Sequence, residues 1–478
     1  MNKVEARINH NYYKQIADKI TQLLDKIHDS QLSDKRWVWE LMQNAKDVPN
    51  KFGRVSVLIE LWEDKLIFSH NGDYFTDGNI TGLIQQVSSK DSANEGELKQ
   101  TGKFGTGFIT THLLSNIIDV KGVVKNPNTG EYQNFKLTLD RSARKSEDMI
   151  ESIAQNLEWV KGLDKGNYQD FPIANNYESR SENEYLTSFT YYLNEDSFKS
   201  ATIGLSDLIN TLPITMVSLR ELKSVRVVNH VEGTEQLYEC NSETIYRNDN
   251  VKIIRSAIDI NGDKKYYLTY KTFNGEDPVI ALSIETLWDG STYSLIKRDK
   301  SQPVLFRDFP LIGSEEFYFP YMLNGFDFEP TETRSGVLLN SNQPKPQKNR
   351  SIIENAVEAV INFNDWLITS GAKNTYLLAS SKEPKPKEAW DETYAKPWIK
   401  KLQENWRGKL LSQTILETKD GYASLREIRI PDYGTKEANR QFFYFLEGFI
   451  AEGILPLAEQ QDEWSEVVNS NYSTWNCT

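Results

Sequence analysis

Two opposed stripes along one short helix constrain this chain more than any other feature. Between Ser33 and Pro49, the residues Trp37, Val38, Leu41, Met42 and Ala45 recur at helical spacing, while Glu40, Asn44 and Asp47 stand at i, i+4 and i+7. At about 100° per residue the three polar positions share one face within roughly 60° of arc. Ser33 or Asp34 can cap the helix and Pro49 stops it. The apolar stripe demands a surface to pack on, whereas the polar stripe is either a solvated face or one wall of a site. Just upstream, Ile16, Ile20, Leu23, Leu24 and Ile27 give residues 12 to 27 the pattern of another amphipathic helix.

After these helices the period changes. RVSVLIEL (54 to 61) and KLIFS (65 to 69) are β-rich runs separated by Trp62-Glu63-Asp64 and read as an antiparallel hairpin ended by the turn HNGD. Residues 88 to 104 are polar with little periodicity and predict a mobile loop; 105 to 116 read as a helix opened by glycines. Strands resume at 117 to 124 and 186 to 193. VKIIRSAI, KYYLTYKT and VIALSIET then follow one another through turns that include Asn261-Gly262 and Asn274-Gly275. The Pro/Lys-rich segments 343 to 349 and 382 to 388 read as boundaries or exposed loops around a helix at 350 to 370, with further helices near 390 to 405 and 436 to 452.

With 478 residues, 38% apolar and 26% charged, the chain has the core-formers of globular protein and a length suited to roughly three domains. The divisions expected are 1–200, 201–345 and 346–478. A net charge of −13 gives no indication of nucleic acid or an anionic membrane as partner. Cys240 and Cys477 lie far apart without metal-ligand spacing, so neither a disulfide framework nor a zinc site is expected. The opening MNKVEARINHNYYKQ lacks the apolar core of an export signal, and no run approaches the roughly twenty apolar residues of a membrane span. A soluble, cytoplasmic protein is the expectation.

The segment Gly102-Lys103-Phe104-Gly105-Thr106-Gly107-Phe108 puts three glycines ahead of the apolar stretch Ile109 to Leu114. Backbone amides unshielded by side chains can approach an anion there, and phosphate is the obvious one. Tight turns before helices need glycine too, so this segment alone decides little.

Taken in order, ELMQNAKD (40 to 47), HNGDYFT (70 to 76) and TGKFGTGF (101 to 108) resemble the three nucleotide-site motifs of the GHKL superfamily, which groups gyrase, the ninety-kilodalton heat-shock chaperone, sensor histidine kinases and MutL. The resemblance covers residues 10 to about 200. It implies an α/β (α+β) two-layer sandwich of GHKL (Bergerat) type, a β-rich α+β middle, transducer-like domain, and a mixed, largely helical C-terminal region. It further implies ATP and Mg2+ as cofactors. Glu40 then falls on the general base, a carboxylate suited to deprotonating or orienting the water that attacks the γ-phosphate. Asn44 falls on the magnesium ligand, a hard amide oxygen. Asp47 matches the motif's last acid, in contact with ligand or fixing the helix against the loop.

The middle motif departs from the family. His70 stands where most members have an Asp that accepts from the adenine amino group; a neutral imidazole nitrogen can accept that bond too, or the ring can merely pack beneath the turn. Asn71 and Gly72 follow it, while Asp73-Tyr74-Phe75 replaces the second glycine. This form resembles sacsin-type and MORC-like ATPases, as does Ser88-Ser89-Lys90, where Lys90 would lie near the phosphates. LTSFTYYLNED (186 to 196) resembles the chaperone strand that carries a Thr beside adenine, which would be Thr187.

Residues 306 to 336 resemble the sacsin-type segment after the ATPase fold. Arg334 is the candidate for a cation reaching the γ-phosphate, with Lys297, Arg298 and Arg307 as competitors. The resemblance implies ATP hydrolysis coupled to closure of the 88–104 lid and of the second domain, a homodimer or other protein partner on ATP binding, and a role in bacterial antiviral defence. A nucleotide-binding switch without hydrolysis is the alternative. With only His10 and His28 ahead of Glu40, a sensor kinase is not expected.

Overall fold

The computed structural model describes residues 3–28, 33–86, 107–143, 145–168, 171–317, 319–379, 390–427, 435–449 and 454–460. The chain clusters into two compact units: residues 1–240 with 259–263, and residues 241–258 with 264–478.

Unit one opens with helices α1 (Lys3–His28) and α2 (Ser33–Lys46), then the strands β1 (Val55–Leu61) and β2 (Lys65–His70) of the expected hairpin. Helix α3 (Asp77–Gln85) is followed, after residues outside the described set, by a 3-10 segment Phe108–Leu113, β3 (Ile117–Lys125), β4 (Tyr132–Asp140), α4 (Ser146–Asp164), β5 (Thr187–Tyr192), α5 (Glu195–Ser218), β6 (Leu222–Asn229) and β7 (Thr234–Arg247), of which the part to Cys240 belongs here. The strand order is β4-β3-β5-β2-β1-β6-β7. Every pair is antiparallel except β1 with β6, a parallel pairing of Val57 with Val225 that joins segments far apart in the chain.

Alternation decides which face of this mixed sheet is covered. Along β4, Gln133, Phe135, Leu137 and Leu139 are buried while Asn134, Lys136 and Thr138 are exposed, the pattern of a sheet with one covered face. The helices pack as α1 on α4, α3 on α4 and α2 on α5. Helix α2 is held to α5 through both indoles: Trp37 Nε1 donates to Ser200 O at 3.3 Å and Trp39 Nε1 to the Asp207 carboxylate at 3.1 Å. The mixed α/β composition fits an α+β class.

The helix expected over 105 to 116 is instead the short 3-10 segment. Thr110 Oγ1 donates back to Gly107 O at 2.7 Å and Thr111 Oγ1 to Phe108 O at 2.8 Å, local bonds that compete with the α-helical ladder. A six-residue turn of this kind offers no helix macrodipole for an anion.

Unit two continues from Asn241 with β8 (Val251–Ile260), β9 (Asp263–Asn274), β10 (Asp277–Trp288), β11 (Tyr293–Leu295), β12 (Leu305–Arg307), β13 (Phe309–Pro310) and β14 (Met322–Gly325), ordered β8-β9-β10-β14-β12-β13 with β11 on β10. Both Asn-Gly hairpins form: Asn261 and Gly262 have φ of 53° and 100°, the left-handed backbone that this dipeptide tolerates. Helix α6 (Pro344–Thr369) lies on β10 and β14, and α7 (Ala395–Leu410) lies on α6. The core runs through Leu268, Leu282, Val357, Phe363 and Trp406. The short strands β15 (Leu416–Thr418) and β16 (Gly421–Ala423) and helix α8 (Lys436–Glu447) follow.

The segment 343 to 349 is not a loop. Pro344 occupies the first turn of α6, where a missing N–H costs nothing and the fixed φ suits the helix. Asn349 then anchors the helix, its amide exchanging two 2.8 Å bonds with the Glu329 backbone and donating a third to Leu338 O. Residue 200 lies within α5 and residue 345 within α6. The segment 382 to 388 lies outside the described residues. Among the described residues no helix is long and apolar enough to cross a membrane.

Candidate functional site

Glu40 does not sit on a solvated face. It is 7% exposed on α2, which packs against the 3-10 segment, and its carboxylate rests on the backbone of Gly107: a Cβ there would lie 2.0 Å from Oε2 and 2.8 Å from Cδ. Arg36, one turn earlier, brings its guanidinium to 3.8 Å from Oε1. Asn44, one turn later, is exposed, and Asp47 is half-buried with its N–H donating to Gln43 O where the helix ends.

The end of α2 is tied to the HNG turn. Asp73 N–H donates to Val48 O at 3.0 Å, and a Cβ on Gly72 would meet that same carbonyl at 2.4 Å, so only glycine lets the two backbones approach this closely. Asn71 holds the turn through both ends of its amide. Its Oδ1 accepts from Ser56 N–H at 2.6 Å and its Nδ2 donates to Glu182 O at 2.5 Å. Both ends of the Asn71 amide thereby position the turn against the Ser56 and Glu182 backbone. Asp73 follows Gly72, and its carboxylate accepts from Tyr177 OH, while Tyr74 N–H donates to that same phenol oxygen at 2.9 Å. Burial, then Asp73, pushes the Tyr177 phenol well up from its ordinary pKa.

His70 ends β2 and is 4% exposed. Its Nδ1 accepts from Gly72 N–H at 3.1 Å, and burial lowers its pKa to about 4, so the ring is neutral at pH 7. Thr187, 2% exposed, is its direct partner across the β2–β5 pair. Phe189, two residues along β5, stacks near His70 at 6.3 Å between centroids and meets Phe108 at 5.6 Å. A continuous path of contacts thus runs from Glu40 through Gly107, Phe108 and Phe189 to His70. Residues from all three motifs converge in unit one.

Past Phe108, His112 is buried with Nδ1 3.1 Å from Ser115 O, a carbonyl that can only accept. Burial and then the nearby Arg141 lower its pKa to about 3. Phe189, Val48, Ser56 and Arg36 were not singled out from the sequence. Alternation along 186 to 193 marks Phe189 as inward-facing, but its neighbours come from other elements.

Lys90, Gly102, Lys103, Phe104, Gly105 and Thr106 lie outside the described residues. In unit two, Arg334 adopts φ of 50° and Arg307 is buried, its pKa lowered first by burial and then by Arg334. Arg298 donates to Asp299 O and Gln302 O, which turns it toward its own loop. Among the described residues no group of three or more His, Cys, Asp and Glu side chains could hold a metal ion. A single exposed amide at Asn44 fits an ion held mainly by phosphate and water.

Comparison with protein-family models finds no match, and neither does comparison with curated proteins. Among solved structures, the chain is similar to the ATP-binding domain of topoisomerase IV from Francisella tularensis, solved in complex with a small-molecule inhibitor. The two share 11% identity over 48% of this chain and 57% of that chain, with a TM-score of 0.26. At that score the likeness carries no argument about the site.

Proposed function

We propose that unit one binds a magnesium nucleoside triphosphate, ATP by motif resemblance, and hydrolyses its γ-phosphate. The observation that carries this reading is the buried Glu40 carboxylate seated on the Gly107 backbone. A carboxylate within reach of the attacking water can deprotonate or orient it, and a glycine backbone is the surface a phosphate approaches most closely. Here those two features meet in one contact.

Glu40 takes the proton of the water or orients it toward the γ-phosphate. Gly107 and its neighbours in the glycine loop line the phosphates, with Lys90 and Lys103 as their cations. Asn44, with phosphate and water oxygens, would hold magnesium, which supplies charge neutralisation. His70, Thr187 and Phe189 form the base end, and the buried ring contacts there exclude water. Arg334, with Arg307 beside it, is the unit-two cation proposed to reach the γ-phosphate. The wider reading comes from the motifs alone: a sacsin-like or MORC-like ATPase of the cytoplasm with a lid at 88–104, ATP-gated pairing of two chains, and service in antiviral defence.

Substitution of Glu40 by Ala tests the assignment. MgATP binding is expected to persist while phosphate release falls at least about a hundredfold. Undiminished release removes Glu40 from the role of base and favours a binding switch.

A further inference from the structure

The hydrogen bond inside the His70–Gly72 turn fixes which ring nitrogen carries the proton. A backbone N–H can only donate, and Gly72 N–H lies 3.1 Å from His70 Nδ1. Nδ1 therefore presents its lone pair, and in a neutral imidazole the proton then resides on Nε2. The turn cannot relax to release that bond. Gly72 is pressed against Val48 O, Asp73 N–H is bonded to the same carbonyl, and the Asn71 amide is held by Ser56 and Glu182. Phe68 and Phe189, with centroids 6.5 and 6.3 Å from the imidazole, flank the ring. His70 thus offers a donor, whereas the motif's usual carboxylate offers an acceptor.

We propose that His70 reads a purine through Nε2–H, donating to an acceptor on the Watson–Crick edge, N1 of adenine or O6 of a 6-oxo purine, and that the 6-amino group is not read. This rests on the reading of unit one as a nucleotide site. Two donors aimed at each other in a buried site leave both unpaired, so an exocyclic amine gains nothing there. N1 and O6 each carry the lone pair that an N–H requires. A purine with only hydrogen at C6 keeps N1 and loses nothing the ring recognises.

The experiment is a calorimetric titration of the full chain, with magnesium, using ATP, ITP, purine riboside triphosphate and 1-deaza-ATP, together with nitrogen-15 NMR of the histidine rings. Purine riboside triphosphate and ITP are expected to bind within about threefold of ATP, and 1-deaza-ATP about tenfold or more weakly, the worth of one buried hydrogen bond. The His70 spectrum is expected to show a proton on Nε2. A proton on Nδ1, or a purine riboside triphosphate that binds more than about threefold worse than ATP, overturns the inference while leaving the nucleotide site standing. Failure of every triphosphate to bind overturns both.

Discussion

Gly107 has no room for a methyl group that does not displace Glu40. The atom a Cβ would strike is the far end of a flexible side chain, so Gly107→Ala can be accommodated by swinging the carboxylate aside. The cost then falls on chemistry more than on folding: turnover is expected to drop roughly a hundredfold, with the melting temperature nearly unchanged, since misplacing a catalytic group by about 1 Å costs about that much. Steady-state phosphate release alongside thermal denaturation checks it; unfolding with no selective loss of rate would contradict the contact. Asn71→Ala should behave oppositely. It strips the partners from Ser56 N–H and Glu182 O, and a loss of about 2 kcal/mol in urea denaturation is expected. The HNG motif was legible in the sequence, but not the work of its middle residue, because Ser56 and Glu182 are brought to it only by the fold.

Among the elements, those whose signals are local were readable. The 54–69 hairpin, the strands at 117 and 187, and the two Asn-Gly hairpins all carry short-range alternation or turn chemistry. Elements without such contrast were not: α5 carries Pro213 and β-branched residues inside a helix. The parallel partnership of β1 with β6 depends on segments far apart in the chain, which no local pattern encodes. The α2–α5 contact makes a specific demand on stability. Trp39→Phe keeps an aromatic side chain but removes the donor to Asp207, which Lys35 also pairs at 3.0 Å. Unit one should lose about 1.5 kcal/mol, read as a lower urea midpoint with an unchanged slope.

At the scale of the whole unit, two buried histidines make stability depend on pH. His70 and His112 titrate near 4 and 3 when folded and near 6.5 when unfolded. Between those values the unfolded chain binds more protons, so stability rises with pH; it is fully present above about 6.5 and is lost as the pH falls toward 4, each ring contributing up to about 1.4 kcal/mol per pH unit. Urea midpoints from pH 7 to 4.5 should show this slope, and replacing both rings by Gln should flatten it. The same burial that sets this dependence keeps His70 neutral beside Thr187, and Glu40 lies at the other end of the aromatic path, against the glycine backbone. The claim that these residues form one nucleotide site is tested most directly by titrating wild-type protein and Glu40→Ala with MgATP while following phosphate release. Both proteins should bind and only the wild type should turn over; absence of binding by the wild type, or equal turnover by the variant, would contradict it.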